Sequence, residues 1–335
     1  MAVVSSLRSV TMIAVAAFLL FAMPLAIALP SYTNNFSLPP GTGGPESIAF
    51  DRLGGGPYTG ISDGRIVKHV PLRGFIDFAY TAQTRNKTFC DGRNATADAT
   101  VGLICGRPVG IAFNSTGFLF ICDAYLGLYV VGPSGGRATR LVSSAGGAAI
   151  RFCDGLDVDS NTGLVYFTDA SSRYVLSNAT QAILNGDRTG RLLSFNPRTG
   201  QVAVLARGLS GPGGVAVAKD SSYLLITEFV GGTVKKFFLT GPSANRIQTL
   251  LNNVPIASKI KRTVEGEFTF TETVAPFTHR ALRINGDGTV LANVSLGGPY
   301  NNVSVVTGVQ IFRGFTYVAS LDANFIDPVS ELGLA

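Results

Sequence analysis

Residues 152–170 read FCDGLDVDSNTGLVYFTDA. Leu156, Asp157, Val158 and Asp159 alternate apolar and polar, the period of a strand with one buried face. Ser160-Asn161-Thr162-Gly163 is a turn: its short polar side chains bond to nearby backbone, and Gly163 accepts a positive φ. Residues 164–167 start a second strand that ends at Thr168-Asp169. A lone hairpin leaves an apolar face uncovered, so it requires copies of itself or another layer.

The copies are present. SIAFDRLGGGPYTGI (47–61), VGIAFNSTGFLFICDA (109–124), VAVAKDSSYLLITEF (215–229), IKRTVEGEFTFTET (260–273) and VTGVQIFRGFTYVASL (306–321) repeat the plan of strand, turn and strand. More polar pairs follow several of them, as in DGRIVKHVP (63–71), GRLLSFNPRTGQVAVLARGL (190–209) and HRALRINGDGTVLANVSL (279–296). Two hairpins make a four-stranded sheet, and six such units of roughly 45–60 residues predict an all-β, six-bladed β-propeller with a central channel. Inserts in a repeat array fall on one face, often the binding face. One insert holds Cys90 and Cys105. The other, residues 171–188, carries a predicted short helix around 178–184.

Composition agrees. Apolar residues are 46% and charged residues 14%, which excludes disorder. The formal charge of +6 is dispersed, and the longest basic run is Lys259-Ile260-Lys261-Arg262. Nucleic acid is therefore not an expected partner. Arg8, an uncharged apolar run over 10–29 and the small-residue site Ala26-Ile27-Ala28 read as a secretory signal peptide, with an uncleaved anchor as the alternative. The expected organisation is a signal peptide over 1–28, an irregular lead-in over 29–44 and the propeller over 45–335, with no stable membrane insertion of the mature chain. The sequons at Asn35, Asn86, Asn94, Asn114, Asn178, Asn293 and Asn302 fit a glycoprotein of the secretory pathway. In that oxidising compartment, a disulfide closing the polar loop between Cys90 and Cys105 would contribute ~3 kcal/mol. Cys122 and Cys153 lie in or beside apolar strands and read as buried free thiols, with a second disulfide as the alternative.

GRIVKH, GFIDFAYTAQTRNKTFCDG, LICGRPVGIAFN, VVGPSGGRATRL, GLVYFTDASSRY, DRTGRLLSFNPRTG, GPGGVAVAKDSSYLLITEF and IKR, in this order over 44–321, resemble strictosidine synthase and its plant relatives. The resemblance implies a six-bladed propeller with a pocket at one end of the channel, the Cys90–Cys105 disulfide, and a vacuolar or extracellular destination. It also implies a small-molecule substrate. Strictosidine synthase joins tryptamine to an aldehyde in a Pictet–Spengler reaction, using a glutamate just before the sixth inner strand. The matching residue here is Thr307, followed by Gly308, and a threonine hydroxyl is no carboxylate base near neutral pH. Strictosidine formation is therefore not expected. A second branch resembles calcium-dependent lactonases of the paraoxonase type. Its ligand positions match Glu46, Asp154, Gly213 and Lys259, an incomplete oxygen set for calcium.

No cofactor or metal is expected, and Lys259 is expected to stand between Glu46 and Asp154 in place of the metal. The candidate catalytic residues are Asp154, Glu46 and His279. The candidate substrate-binding residues are Tyr174, Phe229, Thr307 and Lys259. Asp123, Asp169, Glu228 and Glu272 sit at strand ends, where acids often only satisfy loop N–H groups. The expected function is a hydrolase-type activity on a small alkaloid- or ester-like substrate. The alternatives are a non-catalytic metabolite-binding propeller and a calcium-dependent lactonase.

Overall fold

A computed structural model describes residues 35–274, 278–329 and 334. The predicted leader and its cleavage site lie outside the described residues. Six blades are arranged as a propeller, five of four antiparallel strands and one, blade 1, of five, in which Gly136–Arg137 adds a parallel strand beside Gly74–Tyr80. Their innermost strands are Ile48–Ala49, Pro108–Phe113, Cys153–Val158, Pro212–Val217, Lys261–Arg262 and Gly308–Phe312. The opening hairpin is the inner half of blade 3, with Val158 opposite Val165. Among the described residues no helix is long and apolar enough to cross a membrane.

Part of the lead-in, expected to be irregular, is a strand. Phe36–Ser37 pairs with Phe325–Val329 and becomes the outermost strand of blade 6. Two residues framed by Ser, Pro and Asn carry too little periodicity to be read as a strand. Their pairing joins the start of the ring to its end and covers a sheet edge.

Each junction between neighbouring blades has its own apolar core. Between blades 2 and 3, Phe120, Cys122, Leu156, Phe167 and Leu193 pack together, and the five other junctions hold comparable clusters. The small charged fraction follows from this geometry, because most strands are covered on both faces by the next blade.

The strand-end acids hold local structure. Asp169 accepts from Phe152 N at 2.9 Å and pairs with Arg191 at 2.6 Å. Asp123 accepts from Arg107 N at 2.8 Å, and Glu228 from Ser210 N at 2.7 Å. Each of these three carboxylates ends a second strand and pins the chain where it enters the inner strand of the same blade. Glu272 instead pairs with Arg280 at 2.6 Å.

Cys90 and Cys105 are bonded, with Cα atoms 5.5 Å apart. Their loop contains two short helices that hydrophobic periodicity does not reveal, Lys87–Cys90 and Ala99–Cys105, capped by Asn86 and Asp98. Cys122 and Cys153 are also bonded, with Cα atoms 5.1 Å apart. This corrects the free-thiol expectation. The second strand of blade 2 lies against the inner strand of blade 3, so two cysteines remote in sequence face each other across the junction. The second insert forms the helix Ala179–Leu184, close to its expected place.

Candidate functional site

The site is built by an irregularity repeated around the ring. In blades 2, 3 and 4 the inner strand carries one residue more than its neighbour. The register slips between Pro108 and Gly110, between Cys153 and Leu156, and between Pro212 and Gly214. A bulge re-aims the extra side chain. Here it turns Asp154 toward the channel, and Val109 and Gly213 occupy the matching positions in blades 2 and 4. In the remaining blades the corresponding residue sits just before the inner strand: Glu46, Lys259 and Thr307. Six residues, one per blade, thus form a ring.

Just beyond this ring the inner strands touch. A Cβ added to Gly155 would lie 2.6 Å from Gly214 Cα, and one added to Gly110 would lie 2.1 Å from Asp154 O. Glycine is required at both places because a neighbouring backbone occupies the space of a side chain.

Lys259 lies between the two acids. Its ammonium is 2.9 Å from Glu46 Oε1, contacts Asp154 Oδ1, and donates to Gly213 O at 3.0 Å. All three residues are almost wholly buried. Its three N–H donors are consumed by this cage, so the lysine holds the acids and has no proton left for another partner.

The ammonium is shared between two carboxylates, of which Glu46 also feels the buried Arg107 guanidinium. Burial pushes the Asp154 carboxyl up to about 7, and the adjacent Glu46 carboxylate adds to the rise while Lys259 opposes it. Burial also pushes the Lys259 ammonium down, but the two carboxylates outweigh that and hold it above its ordinary value. The two directions agree: the lysine stays charged, and the crowding of the two acids is relieved at Asp154, the carboxyl that holds its proton longest.

A calcium ion does not fit this arrangement. The Lys259 ammonium already sits on Glu46, Asp154 and the Gly213 carbonyl, and Gly213 brings no side-chain oxygen. A second cation would have to displace a lysine that has no other buried counter-charge.

Above the ring opens a cavity of about 490 Å³, lined by Glu46, Asp154 and Thr307 at its floor and by Phe152, Leu176, Ile183, Phe229, Ile256 and Leu321 on its walls. Both inserts reach it. Thr96 comes from the disulfide loop, and residues 176–183 come from the second insert. Tyr125 ties them together: its hydroxyl donates to Ala95 O at 2.8 Å and accepts from Ser177 N at 3.2 Å. Glu46 Oε2 and Thr307 Oγ1 are buried at the floor without a hydrogen-bond partner among the described residues. Buried polar atoms of this kind are ordinarily satisfied, so both are free to meet a ligand.

Not every expected residue is here. His279 does not line the cavity. It is buried in blade 5, its Nδ1 is 3.0 Å from Thr273 Oγ1, and its Nε2 is 3.1 Å from Val303 O. Burial pushes its imidazole below the ordinary value, and both ring nitrogens are engaged in holding neighbouring chain. Tyr174 does not line the cavity either. Its hydroxyl accepts from Asn185 Nδ2 at 3.0 Å, within its own insert. Phe152, Leu176 and Ile183 were missed as lining residues, because apolar side chains on inserts carry no sequence sign of what they face.

A family model described as Strictosidine synthase matches residues 154–242. The chain is 38% identical over 316 residues to the protein strictosidine synthase-like 12 of Arabidopsis thaliana, covering 92% of this chain and 93% of that one. It is 34% identical to the strictosidine synthase of Catharanthus roseus over 288 residues, covering 83% and 80% of the two chains. Among solved structures, a gluconolactonase from Xanthomonas campestris superposes with a TM-score of 0.59 at 12% identity, over 87% of this chain and 85% of the other. That likeness concerns the fold. The chain belongs to the strictosidine synthase-like family of β-propeller proteins.

Proposed function

We propose that the protein is a hydrolase acting on a small, largely apolar ester or lactone, and that it does not form strictosidine. The observation that supports this most is the buried Glu46–Lys259–Asp154 cage beneath an apolar cavity. A carboxyl pushed up to about 7 is close to the pKa best suited to proton transfer at neutral pH. With the ester carbonyl over the floor, the Asp154 carboxylate takes a proton from a water molecule as the water oxygen bonds to the carbonyl carbon. Thr307 Oγ1, which has no other partner among the described residues, donates to the oxygen that becomes negative. The tetrahedral intermediate collapses, the C–O bond to the leaving group breaks, and Asp154 returns its proton to the departing alkoxide. Lys259 keeps its proton throughout. Thr307, standing where strictosidine synthase has a glutamate, supports the exclusion of Pictet–Spengler chemistry.

The test is turnover of a panel of aryl esters and lactones at pH 7.5. Asp154→Asn is expected to lower kcat by about 10²–10⁴, the usual worth of a general base. Binding without turnover in the wild-type protein would overturn the reading in favour of a metabolite-binding propeller. Turnover that requires added calcium would favour the lactonase type. The sequons and leader support placing the protein in the secretory pathway, in the vacuole or outside the cell, which glycosidase-induced mobility shifts of the protein from its native tissue would test.

A further inference from the structure

The channel has a second mouth. At the opposite end of the inner strands lies a cavity of about 220 Å³, lined among others by Phe50, Phe113, Asp157, Lys261, Arg262 and Phe312. It shares no lining residue with the upper cavity, and the contacts at Gly110 and Gly155 lie between the two.

Its charges are arranged differently from those above. Asp157 accepts from Val217 N and from its neighbour Val158 N, both at 2.9 Å, so both of its oxygens are engaged. Lys261 donates to Ile111 O at 3.0 Å and forms no ion pair among the described residues. Burial pushes the Asp157 carboxyl up and the Lys261 ammonium down while each opposes the other's shift, so acid and lysine offset one another, and the Asp157 carboxyl also feels Arg262. Arg262 is the remaining cation. Its side chain makes no hydrogen bond or ion pair with any described residue, and its Nε is buried without a partner. A second guanidinium, Arg313, lies over the Phe312 ring at 5.2 Å and strengthens the positive potential at this end. A guanidinium is a planar fork of donors, and an unused fork in a concave site matches a carboxylate with two parallel bonds. Phe50 and Phe312 stack with their centroids 3.9 Å apart and give the mouth an apolar side.

We propose that this lower mouth is a binding site for a small organic carboxylate. Arg262 receives the carboxylate, and the hydrocarbon part rests against Phe50, Phe113 and Phe312. This site is separate from the hydrolytic one and does not depend on the reading given to it.

The experiment is isothermal titration of the mature protein with benzoate, with benzamide as the neutral isostere and with inorganic phosphate. Benzoate is expected to bind at one site, about tenfold or more tighter than benzamide, and to weaken by at least about tenfold in Arg262→Gln, the worth of a charge-assisted bond. Arg262→Lys, which keeps the charge and loses the fork, should fall between the two. Asp154→Asn, which alters only the upper cavity, should leave benzoate binding unchanged. Arg262 is only partly buried, and the melting temperature of each variant verifies that it folds. Should Arg262→Gln misfold, Arg262→Lys carries the test. The proposal is overturned if benzoate gives no binding up to millimolar concentration, if benzamide binds equally well, or if the Arg262 variants bind as the wild type does. It is also overturned if Asp154→Asn abolishes binding, or if phosphate binds more tightly than benzoate.

Discussion

The two ends of the channel draw on the same two blades and the same residue types. Blade 3 supplies Asp154 to the upper end and Asp157 to the lower. Blade 5 supplies Lys259 and Lys261. Above, the lysine is caged by two acids and a carbonyl. Below, the acid and the lysine each bind backbone and do not pair. The difference comes from Glu46. A second carboxylate draws the upper lysine into the channel and leaves a proton over, which gives that end an acid–base group. Among the described residues the lower mouth is lined by one acid, so backbone carbonyl and amide groups bind its acid and lysine, and the Arg262 guanidinium keeps its hydrogen-bond donors unused.

The sharpest way to break this comparison is to remove each lysine in turn. Lys259→Met removes the ammonium shared by two buried carboxylates, leaving Asp154 without its partner and Glu46 with only the Arg107 guanidinium acting on it, and should cost about 3–5 kcal/mol of stability. Lys261→Met removes one bond to a carbonyl and should cost only about 1 kcal/mol. Urea unfolding at pH 7.5 measures both, and equal losses would show that the upper cage is no different from the lower pair.

A pH series sharpens the same contrast. The folded protein holds a proton on Asp154 up to about pH 7, whereas an unfolded aspartate releases it near 3.9. Between those values the native state binds more protons than the unfolded state, so stability contributed by this group falls as pH rises from about 4 to about 7. Melting temperature should show that decline in the wild type, and Asp154→Asn should flatten it. In parallel, kcat should rise through about pH 7 as the base ionises. A pH profile flat between 5 and 9 would remove Asp154 from the mechanism.

His279→Gln should leave kcat within about twofold while lowering stability by about 1–2 kcal/mol, since its two ring bonds are structural. An activity loss comparable to that of Asp154→Asn would restore it as a base. Thr307→Val should change stability least, by no more than about 0.5 kcal/mol, because its hydroxyl has no partner to lose among the described residues. Its effect should fall on kcat, by about tenfold, with KM nearly unchanged.

Much of this was legible in the chain. Alternation and turn chemistry in 152–170 and its copies specify hairpins, and six of them specify a ring of blades. The acids at Asp123, Asp169 and Glu228 read correctly as strand ends because their partners are the backbone of their own blade. Lys259 was placed between Glu46 and Asp154 through the likeness to metal-binding relatives. Local pattern alone would not have joined residues 46, 154 and 259.

What only the tertiary structure decided is equally specific. Cys122 and Cys153 look like two buried thiols until adjacent blades bring them together. His279 looks like a base until both its nitrogens are seen to be occupied. Phe36–Ser37 looks like coil until it closes the ring. The sequence by itself determined the repeated hairpins, their turns and the number of blades, because those depend on spacings within a few residues. The tertiary structure decided which charges meet, because a propeller brings side chains to one axis from positions as far apart in the chain as Asp154 and Lys259, 105 residues, and burial at that axis shifts their protonation.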